Sequence, residues 1–341
     1  MDLRPIALPA NQPAERFYRG GARIARWRGS AAATENTPED WVASTTTLAG
    51  ETDVGLTTIA GERLRDLVDA DPLGWLGAAH VAAFGSDPRL LVKLLDAGER
   101  LPVHAHPDDA FALGRLGRAH GKTEAWFLVE GGTVHLGFVR DVPRVELEAI
   151  VEAQDTERLL NLLHARTVEP GDTVFVPAGL PHAIGEGVFL VEVQQPEDLS
   201  ILLDWRGFDI DGRADGHLGV GFDAALDAVD RRAWTDAEID ALLSRDASAA
   251  RALVREADPF FRIERASAEE RPEIAAGFAV LVILEGEGTL RSAIGDLPHP
   301  AVATTDLPLR AGATVILPHA AGDQVLTGTL RGVVCRPPSP S

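Results

Sequence analysis

Three histidines and one glutamate stand at spacings that suit a metal site. His104 and His106 are two residues apart in the apolar stretch 101–106, and side chains at i and i+2 of a strand project from the same face. Glu124 follows eighteen residues after His106, and His182 ends a segment rich in glycine and proline. Because tight turns bring neighbouring strands together, we expect all four side chains to meet inside one β-barrel.

Three imidazoles and one carboxylate form a ligand set for a single divalent transition metal. Zn²⁺, Mn²⁺, Fe²⁺, Co²⁺ and Ni²⁺ all accept such ligands, so the residue types alone do not select among them. Four protein ligands still permit catalysis when water or substrate adds to the coordination shell. The other histidines lack a comparable context and are expected to be structural or solvated: His80, His120, His135, His164, His217, His299 and His319.

Lysine is scarce in this chain, and both lysines lie near the proposed ligands. Lysine and arginine together total 32, yet only Lys93 and Lys122 are lysines. A position that stays lysine where arginine is otherwise used can need a compact ammonium with an adjustable pKa. The scarcity therefore favours a chemical role for both residues.

These spacings match the two sequence motifs of the cupin superfamily. The first motif reads Gly-x5-His-x-His, a spacer, then Glu-x6-Gly over residues 98–131, and the second reads Gly-x5-Pro-x-Gly-x2-His over residues 171–182. The spacer before Glu124 is longer than usual in the superfamily, and Glu186 replaces the Asn that often closes the second motif. This resemblance implies a jelly-roll barrel that holds one metal.

Longer segments are similar to one cupin family, the class I mannose-6-phosphate isomerases. The similar segments are Leu91–Ala97, His106–Asp109, Gly121–Trp126, Pro181–Gly185, Val191–Gln195 and Asp204-Trp205. The resemblance implies zinc held by His104, His106, Glu124 and His182, beside a substrate site that contains Lys93, Lys122, Glu192 and Gln194. It also implies interconversion of mannose 6-phosphate and fructose 6-phosphate.

Such an isomerisation passes through an enediol, and it needs a base as well as stabilisation of an oxyanion. A divalent cation bound to the sugar oxygens can stabilise the negative charge. Lys122 can serve as the base if burial beside a cation lowers its pKa. Glu192 is the competing base, and Lys93 is the third residue to which we assign a catalytic role. The sequence does not decide between Lys122 and Glu192.

Two positions depart from this family. The family usually carries Gln where His104 stands, which makes zinc less certain than in other members. It also carries an active-site Arg shortly before its Asp-Trp pair, whereas the segment 196–205 has no Arg. The absence of this Arg removes a bidentate hydrogen-bond partner for phosphate. Arg19 and Arg206 are candidate replacements, and a non-phosphorylated aldose such as mannose becomes an alternative substrate.

Two functions outside the isomerases also remain open. A cupin dioxygenase uses the same ligand types for Fe²⁺, and consumption of oxygen would distinguish it. A sugar-binding protein without catalysis follows if the missing Arg marks a decayed site, and it would bind sugar tightly without turnover.

The hydrophobic pattern predicts strands around the motifs and helices between them. Residues 1–60 are predicted as strands and loops, with a strand over Trp41–Thr47. Helices are predicted over 57–83, with a break at Asp71-Pro72, and over 145–165 and 222–254. The stretches Glu124–Val129 and Thr133–Val139 are predicted to pair as a hairpin across a turn that contains two glycines.

The overall prediction is a mainly β fold with helical insertions, built from two cupin jelly-roll barrels of which the second is degenerate. Gly312–Pro318 repeats the opening of the second motif, but Asp323 stands where its His would fall. We expect a catalytic domain over 1–206 with a helical insertion at about 145–165. A helical linker over 207–255 and a degenerate cupin domain over 256–341 follow.

Composition excludes several classes of protein and partner. The net charge of −20 argues against binding of nucleic acid or of anionic membranes, which requires concentrated positive charge. A small sugar or sugar phosphate is the expected partner, while the choice between monomer and homodimer stays open. Cys335 is the only cysteine, so no disulfide can form within the chain. No targeting or spanning segment is recognisable, and we expect a cytoplasmic protein.

Overall fold

The computed structural model describes residues 3–30, 34–292 and 306–340. Its helices are α1 Ala22–Arg28, α2 Leu64–Ala70, α3 Pro72–Leu76, α4 Ala78–Phe84, α5 Asp109–Phe111, α6 Arg144–Ala153, α7 Thr156–Asn161, α8 Gly212–Asp215, α9 Phe222–Ala225 and α10 Asp236–Ala241. A π turn, Ala112–Leu116, follows α5. Within the described residues, each helix falls short of the length and apolar character that crossing a bilayer requires.

The strands are short and run through the whole chain. They are β1 Ile6–Leu8, β2 Glu39–Val42, β3 Thr58–Ile59, β4 Glu62–Arg63, β5 Leu91–Asp96, β6 His104–Ala105, β7 Glu124–Glu130, β8 Gly132–Phe138, β9 Leu163–Val168, β10 Thr173–Val176, β11 His182–Ile184, β12 Phe189–Gln194, β13 Ile201–Leu202, β14 Leu243–Ser244, β15 Arg262–Ser267, β16 Glu273–Ile274, β17 Ala279–Glu285, β18 Glu287–Ser292, β19 Leu307–Arg310, β20 Thr314–Leu317, β21 Gln324–Leu326 and β22 Arg331–Arg336.

Two sheets form an N-terminal β-sandwich. One has the strand order β14-β10-β7-β12-β5-β2, and the other has the order β13-β6-β11-β8-β9. Trp126 and Leu128 of β7 share a buried cluster with Val134 and Leu136 of β8. The two sheets therefore pack face to face, with apolar side chains between them.

Two further sheets form a C-terminal sandwich. Their strand orders are β1-β20-β17-β22-β15 and β16-β21-β18-β19. Leu281 and Ile283 of β17 cluster with Leu290 of β18 and Leu326 of β21. The strand β1, from the beginning of the chain, completes the first of these sheets by pairing with β20.

The strand β17 packs on both of its faces. Leu281 and Ile283 point into the C-terminal sandwich, whereas Val280 and Val282 belong to the large cluster that also contains the N-terminal core. Successive side chains of a strand point to opposite faces, so a strand covered on both sides reads as a continuous apolar run. The sequence of β17, AVLVILE, has this character.

The structure confirms the mainly β class with helical insertions. The predicted insertion at 145–165 contains α6 and α7, and β9 begins directly afterwards at Leu163. Leu147, Ile150 and Val151 form the buried face of α6, as their helical spacing predicts. The division of the chain into domains at 206 and 255 stays a prediction.

The predicted hairpin of residues 124–139 is wrong. Both strands form, but β7 lies in the six-stranded sheet, while β8 lies in the facing sheet and pairs with β9 and β11. Gly131 lies at the crossing, where a Cβ atom would come 2.1 Å from the carbonyl oxygen of Val168. The alternating pattern is the same whether consecutive strands pair or pass to a facing sheet, so it could not separate these arrangements.

The other predicted helices are correct only in part. Residues 58–63 form the β3-β4 pair, so the first helix begins at Leu64. The break at Asp71-Pro72 is confirmed, and the Asp71 side chain caps α3. Within 222–254 the helices α9 and α10 are short, and β14 joins the sheet edge instead. The strand predicted over 41–47 is β2, which ends at Val42, and α1 was not expected.

Candidate metal centre

Three strands bring the proposed ligands together. His104 on β6 and His182 on β11 are direct partners across an antiparallel pair. Glu124 begins β7 of the facing sheet. His106 follows β6 at a spacing of two, on the same side as His104. The two sheets therefore direct all four side chains into the interior of the N-terminal sandwich.

The imidazole rings of His104, His106 and His182 form a compact cluster. The ring centroids of His104 and His182 are 4.2 Å apart, and the centroid of His106 lies 4.9 Å from each. One ring nitrogen of each residue lies within 4.8 Å of the others. This spacing allows a single ion to contact all three rings.

A backbone carbonyl orients each of the three rings. The Nδ1 atoms of His104, His106 and His182 lie 2.8, 2.6 and 2.8 Å from the carbonyl oxygens of Pro102, Leu199 and Leu180, respectively. A carbonyl oxygen can only accept, so each neutral ring carries its proton on Nδ1 and donates it there. The Nε2 atoms are left with free lone pairs, which is the tautomer that a metal ligand needs.

Glu124 lies against these free nitrogens. Its Oε2 atom is 2.9 Å from Nε2 of His106, and its Oε1 atom is 3.4 Å from Nε2 of His182. The indole N–H of Trp126 donates to Oε1 at 2.9 Å. Trp126 therefore fixes the carboxylate in the direction of the imidazole cluster.

The central atoms fit a divalent cation. Nε2 of His182 is buried and lacks a hydrogen-bond partner. Burial, together with the charge of Lys122, lowers the pKa of His106 to about 3, and burial also lowers the pKa of His104 well below its usual value. Neutral imidazoles beside an ionised carboxylate are the protonation states in which these groups bind metals.

Lys122 lies beside the same carboxylate. Its Nζ atom is 2.8 Å from Oε2 of Glu124, 3.2 Å from Nε2 of His106 and 3.6 Å from Oε1 of Glu192. Burial by itself would lower the pKa of Lys122, but the carboxylates of Glu124 and Glu192 outweigh burial and raise it. The expectation of a lowered pKa is therefore wrong for the protein groups alone.

Glu192 and Lys93 are direct partners across β12 and β5. Nζ of Lys93 lies 3.8 Å from Oε1 of Glu192, 3.8 Å from Oε2 of Glu39 and 4.5 Å from the ring centre of Trp41. Oε1 of Glu192 is buried without a hydrogen-bond partner. Burial, followed by repulsion from Glu124, raises the pKa of Glu192.

Gln194 is opposite Glu124 across β12 and β7, but its contacts are with the backbone. Its amide nitrogen donates to the carbonyl oxygens of Gln195 and Glu197 at 3.0 and 2.5 Å. The side chain is fully buried, and it does not line the cavity that opens onto the candidate site. These contacts hold the loop after β12, and a role in substrate binding stays a prediction.

A cavity of about 820 Å³ opens onto the candidate site. Its wall contains Lys93, His104, Lys122, Glu124 and Glu192. The structure therefore brings both lysines, two of the proposed ligands and the candidate carboxylate base to one space, of a size that suits a small ligand.

The cavity wall includes residues that were not identified from the sequence, among them Arg16, Tyr18, Glu39 and Asp198. The Tyr18 hydroxyl donates to Glu39, and Nε of Arg16 lies 3.5 Å from the same carboxylate. Arg16 and Tyr18 lie within residues 1–60, which were predicted only as strands and loops. They lie far from the motifs along the chain, so no sequence pattern indicated that they contribute to the site.

The two candidate replacements for the missing arginine do not line the cavity. Arg19 is exposed and pairs with Glu99 at 3.0 Å. Arg206 donates to the carbonyl oxygen of Ala153 at 2.7 Å. Neither guanidinium is therefore available to a ligand in this cavity.

The residues of interest in the C-terminal sandwich have other contacts. Asp323, at the position of the motif histidine, accepts a hydrogen bond from the backbone N–H of Ala276 at 2.7 Å. His319 packs against Gly77, where an added Cβ would come 2.7 Å from its ring. Among the described residues, the cluster of His104, His106 and His182 is the one group of three or more potential ligands.

Curated relatives match part of the chain. No family model matches it. Mannose-6-phosphate isomerase of Streptococcus mutans is 36% identical over 151 residues, which cover 42% of this chain and 45% of that protein. Mannose-6-phosphate isomerase ManA of Bacillus subtilis is 34% identical over 128 residues, which cover 36% of this chain and 39% of that protein. The matched stretches thus span less than half of these two relatives.

Solved structures match the fold over nearly the whole chain. A candidate mannosephosphate isomerase of Archaeoglobus fulgidus has a TM-score of 0.75 at 22% identity and covers 99% of both chains. The mannose 6-phosphate isomerase of Bacillus subtilis has a TM-score of 0.68 at 22% identity and covers 98% of both chains. Similarity to these isomerases over part of the sequence, together with the shared fold, supports placement of the chain in the mannose-6-phosphate isomerase family.

Proposed function

We propose that this protein is a metal-dependent aldose–ketose isomerase that interconverts mannose 6-phosphate and fructose 6-phosphate. The observation that carries the proposal is the placement of the His104–His106–His182 cluster and Glu124 beside Lys122 and Glu192, on one cavity. An enediol reaction requires a base and stabilisation of negative charge, and a metal site next to a charged lysine and a basic carboxylate can supply both.

The proposed metal is zinc, held by His104, His106, Glu124 and His182. When bound, a divalent cation would polarise the sugar oxygens and offset the negative charge of the enediol. The buried, unpartnered Nε2 atom of His182 supports this ligand set. Mn²⁺, Fe²⁺, Co²⁺ and Ni²⁺ suit the same donors, and the experiment below distinguishes them.

Glu192 is the proposed base. Its Oε1 atom lacks a hydrogen-bond partner, and its pKa is raised by burial and by repulsion from Glu124. A carboxylate with a raised pKa accepts a proton more readily. From the aldose, Glu192 takes the proton on C2 and returns it to C1, while the hydroxyl proton on O2 passes to O1. The C=O bond then lies at C2 instead of C1.

The two lysines are proposed to act as cations. Lys122 keeps its proton because the carboxylates of Glu124 and Glu192 raise its pKa. Its ammonium can donate to a sugar oxygen as negative charge develops there. Lys93 lies 3.8 Å from the same Oε1 atom of Glu192 and would help to fix the base relative to the substrate.

A parallel assay tests the proposal. The purified protein is stripped of metal and reconstituted with each of the five metals, and turnover is measured on mannose 6-phosphate and on free mannose. We expect turnover of mannose 6-phosphate to require metal and to be highest with Zn²⁺. Absence of isomerisation of both sugars with every metal would overturn the proposal.

Isomerisation of a non-phosphorylated aldose is the second candidate. It is supported by the absence of arginine from the segment 196–205, where the family carries one. In the parallel assay this candidate predicts a higher kcat/KM for mannose than for mannose 6-phosphate. An oxygen electrode in the same assay detects the dioxygenase alternative, and tight sugar binding without turnover identifies a non-catalytic protein.

A further inference from the structure

Arg16 places a guanidinium on the cavity wall, from a segment that carries none of the cupin motifs. It lies between β1 and α1, and its backbone N–H donates to the carbonyl oxygen of Asn36 at 3.0 Å. Its side chain is 12% exposed and lines the cavity. The main chain therefore fixes Arg16 while its side chain stays open to a ligand in the cavity.

The hydrogen-bonding capacity of Arg16 is incompletely used. Its Nε–H is buried and lacks an acceptor, since the nearest oxygen of Glu39 is 3.5 Å away. Burial by itself lowers the pKa of Arg16, but the carboxylates of Glu39 and Asp198 outweigh burial and raise it. The guanidinium is therefore permanently charged and partly desolvated, a state in which pairing with an anion is strong.

Charges on the cavity wall leave room for an anion. The wall contains five cations and six carboxylates, which are Arg16, Lys93, Arg115, Arg118 and Lys122, and Glu39, Glu51, Glu124, Glu192, Asp198 and Asp215. The carboxylates exceed the cations by one, and a divalent metal held at Glu124 would leave an excess of one positive charge. An anionic ligand would then be favoured over a neutral one.

The other arginines of the wall are less suited. Arg118 is bound to Oε2 of Glu197 through Nε at 2.9 Å and Nη2 at 2.5 Å. Arg115 lies on the exposed π turn, where water screens its charge. Arg16 is the cavity arginine that combines burial with an unfilled donor.

Arg16 also lies at the end of the site opposite the metal cluster. Its partner Glu39 is on β2, whereas Glu124 is on β7, and these strands are three steps apart in the sheet order. Three strand spacings correspond to about 14 Å. A hexose 6-phosphate carries its carbonyl and its phosphate at opposite ends of a six-carbon chain, which is shorter than this backbone separation. With the carbonyl end near Glu124, the long side chain of Arg16 would have to extend along the cavity to meet the phosphate.

We propose that Arg16 binds the phosphate group of the substrate and so takes over the task of the arginine that is absent from the segment 196–205. This inference rests on the proposed isomerase function. It makes Arg16 the residue that selects a phosphorylated over a neutral sugar, through the two-pronged geometry that a guanidinium offers to phosphate oxygens.

Substrate discrimination tests this assignment. Arg16→Gln should lower kcat/KM for mannose 6-phosphate at least about tenfold, the size expected when a charged hydrogen bond is lost. It should lower kcat/KM for mannose much less, so that the ratio of the two values falls. Arg16→Lys should recover only part of the lost kcat/KM, since an ammonium cannot form the bidentate contact that a guanidinium makes with phosphate. Arg115→Gln is the matched control on the same wall and should change the ratio of the two values by less than threefold. If Arg115→Gln abolishes the discrimination and Arg16→Gln does not, the assignment is wrong.

A binding measurement separates this inference from the proposed activity. Calorimetry on the unsubstituted protein, with and without metal, should detect inorganic phosphate, and Arg16→Gln should weaken that binding at least about tenfold. Because loss of Arg16 leaves Glu39 with one fewer cation, the double variant Arg16→Gln/Glu39→Gln is measured beside it, with circular dichroism as the control for folding. Phosphate binding equal to that of the unsubstituted protein in both variants would overturn the role of Arg16, even if isomerase activity is present. Absence of all isomerisation with phosphate binding intact and dependent on Arg16 would instead remove the proposed function.

Discussion

Backbone carbonyl groups, rather than acidic side chains, orient the three imidazoles of the site. Pro102, Leu180 and Leu199 supply these acceptors from the main chain. A carbonyl oxygen does not titrate, so the ring tautomers do not depend on the protonation of an outer partner. Changes of pH therefore reach this site through Glu124 and through the Nε2 atoms themselves.

Removal of His182 should abolish metal binding. His182→Ala takes away a buried Nε2 at the centre of the cluster, and we expect metal affinity to fall by more than the roughly 10–100-fold that follows loss of an outer partner. Turnover should fall in parallel. Metal content after dialysis measures the effect, and His217→Ala, outside the cluster, is the control. A His182→Ala protein that retains one equivalent of metal would remove this residue from the ligand set.

Replacement of Lys122 tests whether a compact cation is needed. Lys122→Arg keeps the charge, but its larger planar head does not fit between Glu124 and Glu192, whose oxygens lie 2.8 and 3.6 Å from Nζ. We expect kcat to fall at least about 100-fold, within the range attributed to a positioned acid or base. Arg140→Lys, at an exposed ion pair, is the control. Full activity of Lys122→Arg would show that the scarcity of lysine carries no functional information.

At the residue scale, the sequence identifies the groups that lie within a motif. His104, His106 and His182 were predicted because strand periodicity and turn residues constrain where they point. Arg16 and Glu39 escaped prediction, since they reach the cavity from an N-terminal loop and from β2 through contacts that no local spacing encodes. The pKa direction of Lys122 also depends on these spatial neighbours.

At the element scale, one glycine lets the segment before β7 approach the segment after β6. A Cβ atom on Gly121 would come 2.4 Å from the carbonyl oxygen of Pro107. The next residue, Lys122, donates its backbone N–H to that same oxygen at 2.9 Å. This close approach sets the position of Lys122 beside His106.

Gly121→Ala should therefore damage both stability and activity. The added methyl group meets backbone atoms that cannot rotate away, so we expect a loss of about 1–3 kcal/mol in the free energy of unfolding. Displacement of Lys122 should also lower kcat. Gly114→Ala is the matched control, because a Cβ there has nothing within 4 Å. Equal unfolding midpoints of the two variants in urea would contradict this account.

Helices and strands were predicted correctly where burial gives the hydrophobic pattern a clear period. The prediction failed where two different strand arrangements give the same pattern. The apolar positions of α6 gave a helix, whereas the alternation of β7 and β8 suits a hairpin and a crossing between sheets equally well. The helix expected over 222–254 breaks up, since tertiary packing on the sandwich overrides the propensity of an Ala-rich segment.

At the scale of the whole molecule, the ligands join the two sheets of the N-terminal sandwich. His104 and His182 belong to the five-stranded sheet, and Glu124 belongs to the six-stranded sheet. A bound ion would therefore tie the sheets together in the folded state only. The fold class was predictable because its strands recur through the chain, but the packing of β17 against both sandwiches required the structure.

Removal of metal should destabilise the whole protein. At a free metal concentration 100 times Kd, binding to the folded state contributes about 2.7 kcal/mol. Addition of a chelator should thus lower the midpoint of thermal unfolding, and excess Zn²⁺ should restore it. The His182→Ala variant is the control and should not respond to either reagent. If the chelator does not change the midpoint of thermal unfolding of the unsubstituted protein, metal has no role in linking the sheets.

The convergence of four side chains on one ion is tested most directly by anomalous diffraction from crystals grown with Zn²⁺. We predict one strong peak in the sandwich interior, at about 2.0–2.2 Å from Nε2 of each histidine of the cluster and from a Glu124 oxygen. A peak elsewhere, or an interior without anomalous signal at saturating Zn²⁺, would contradict the account.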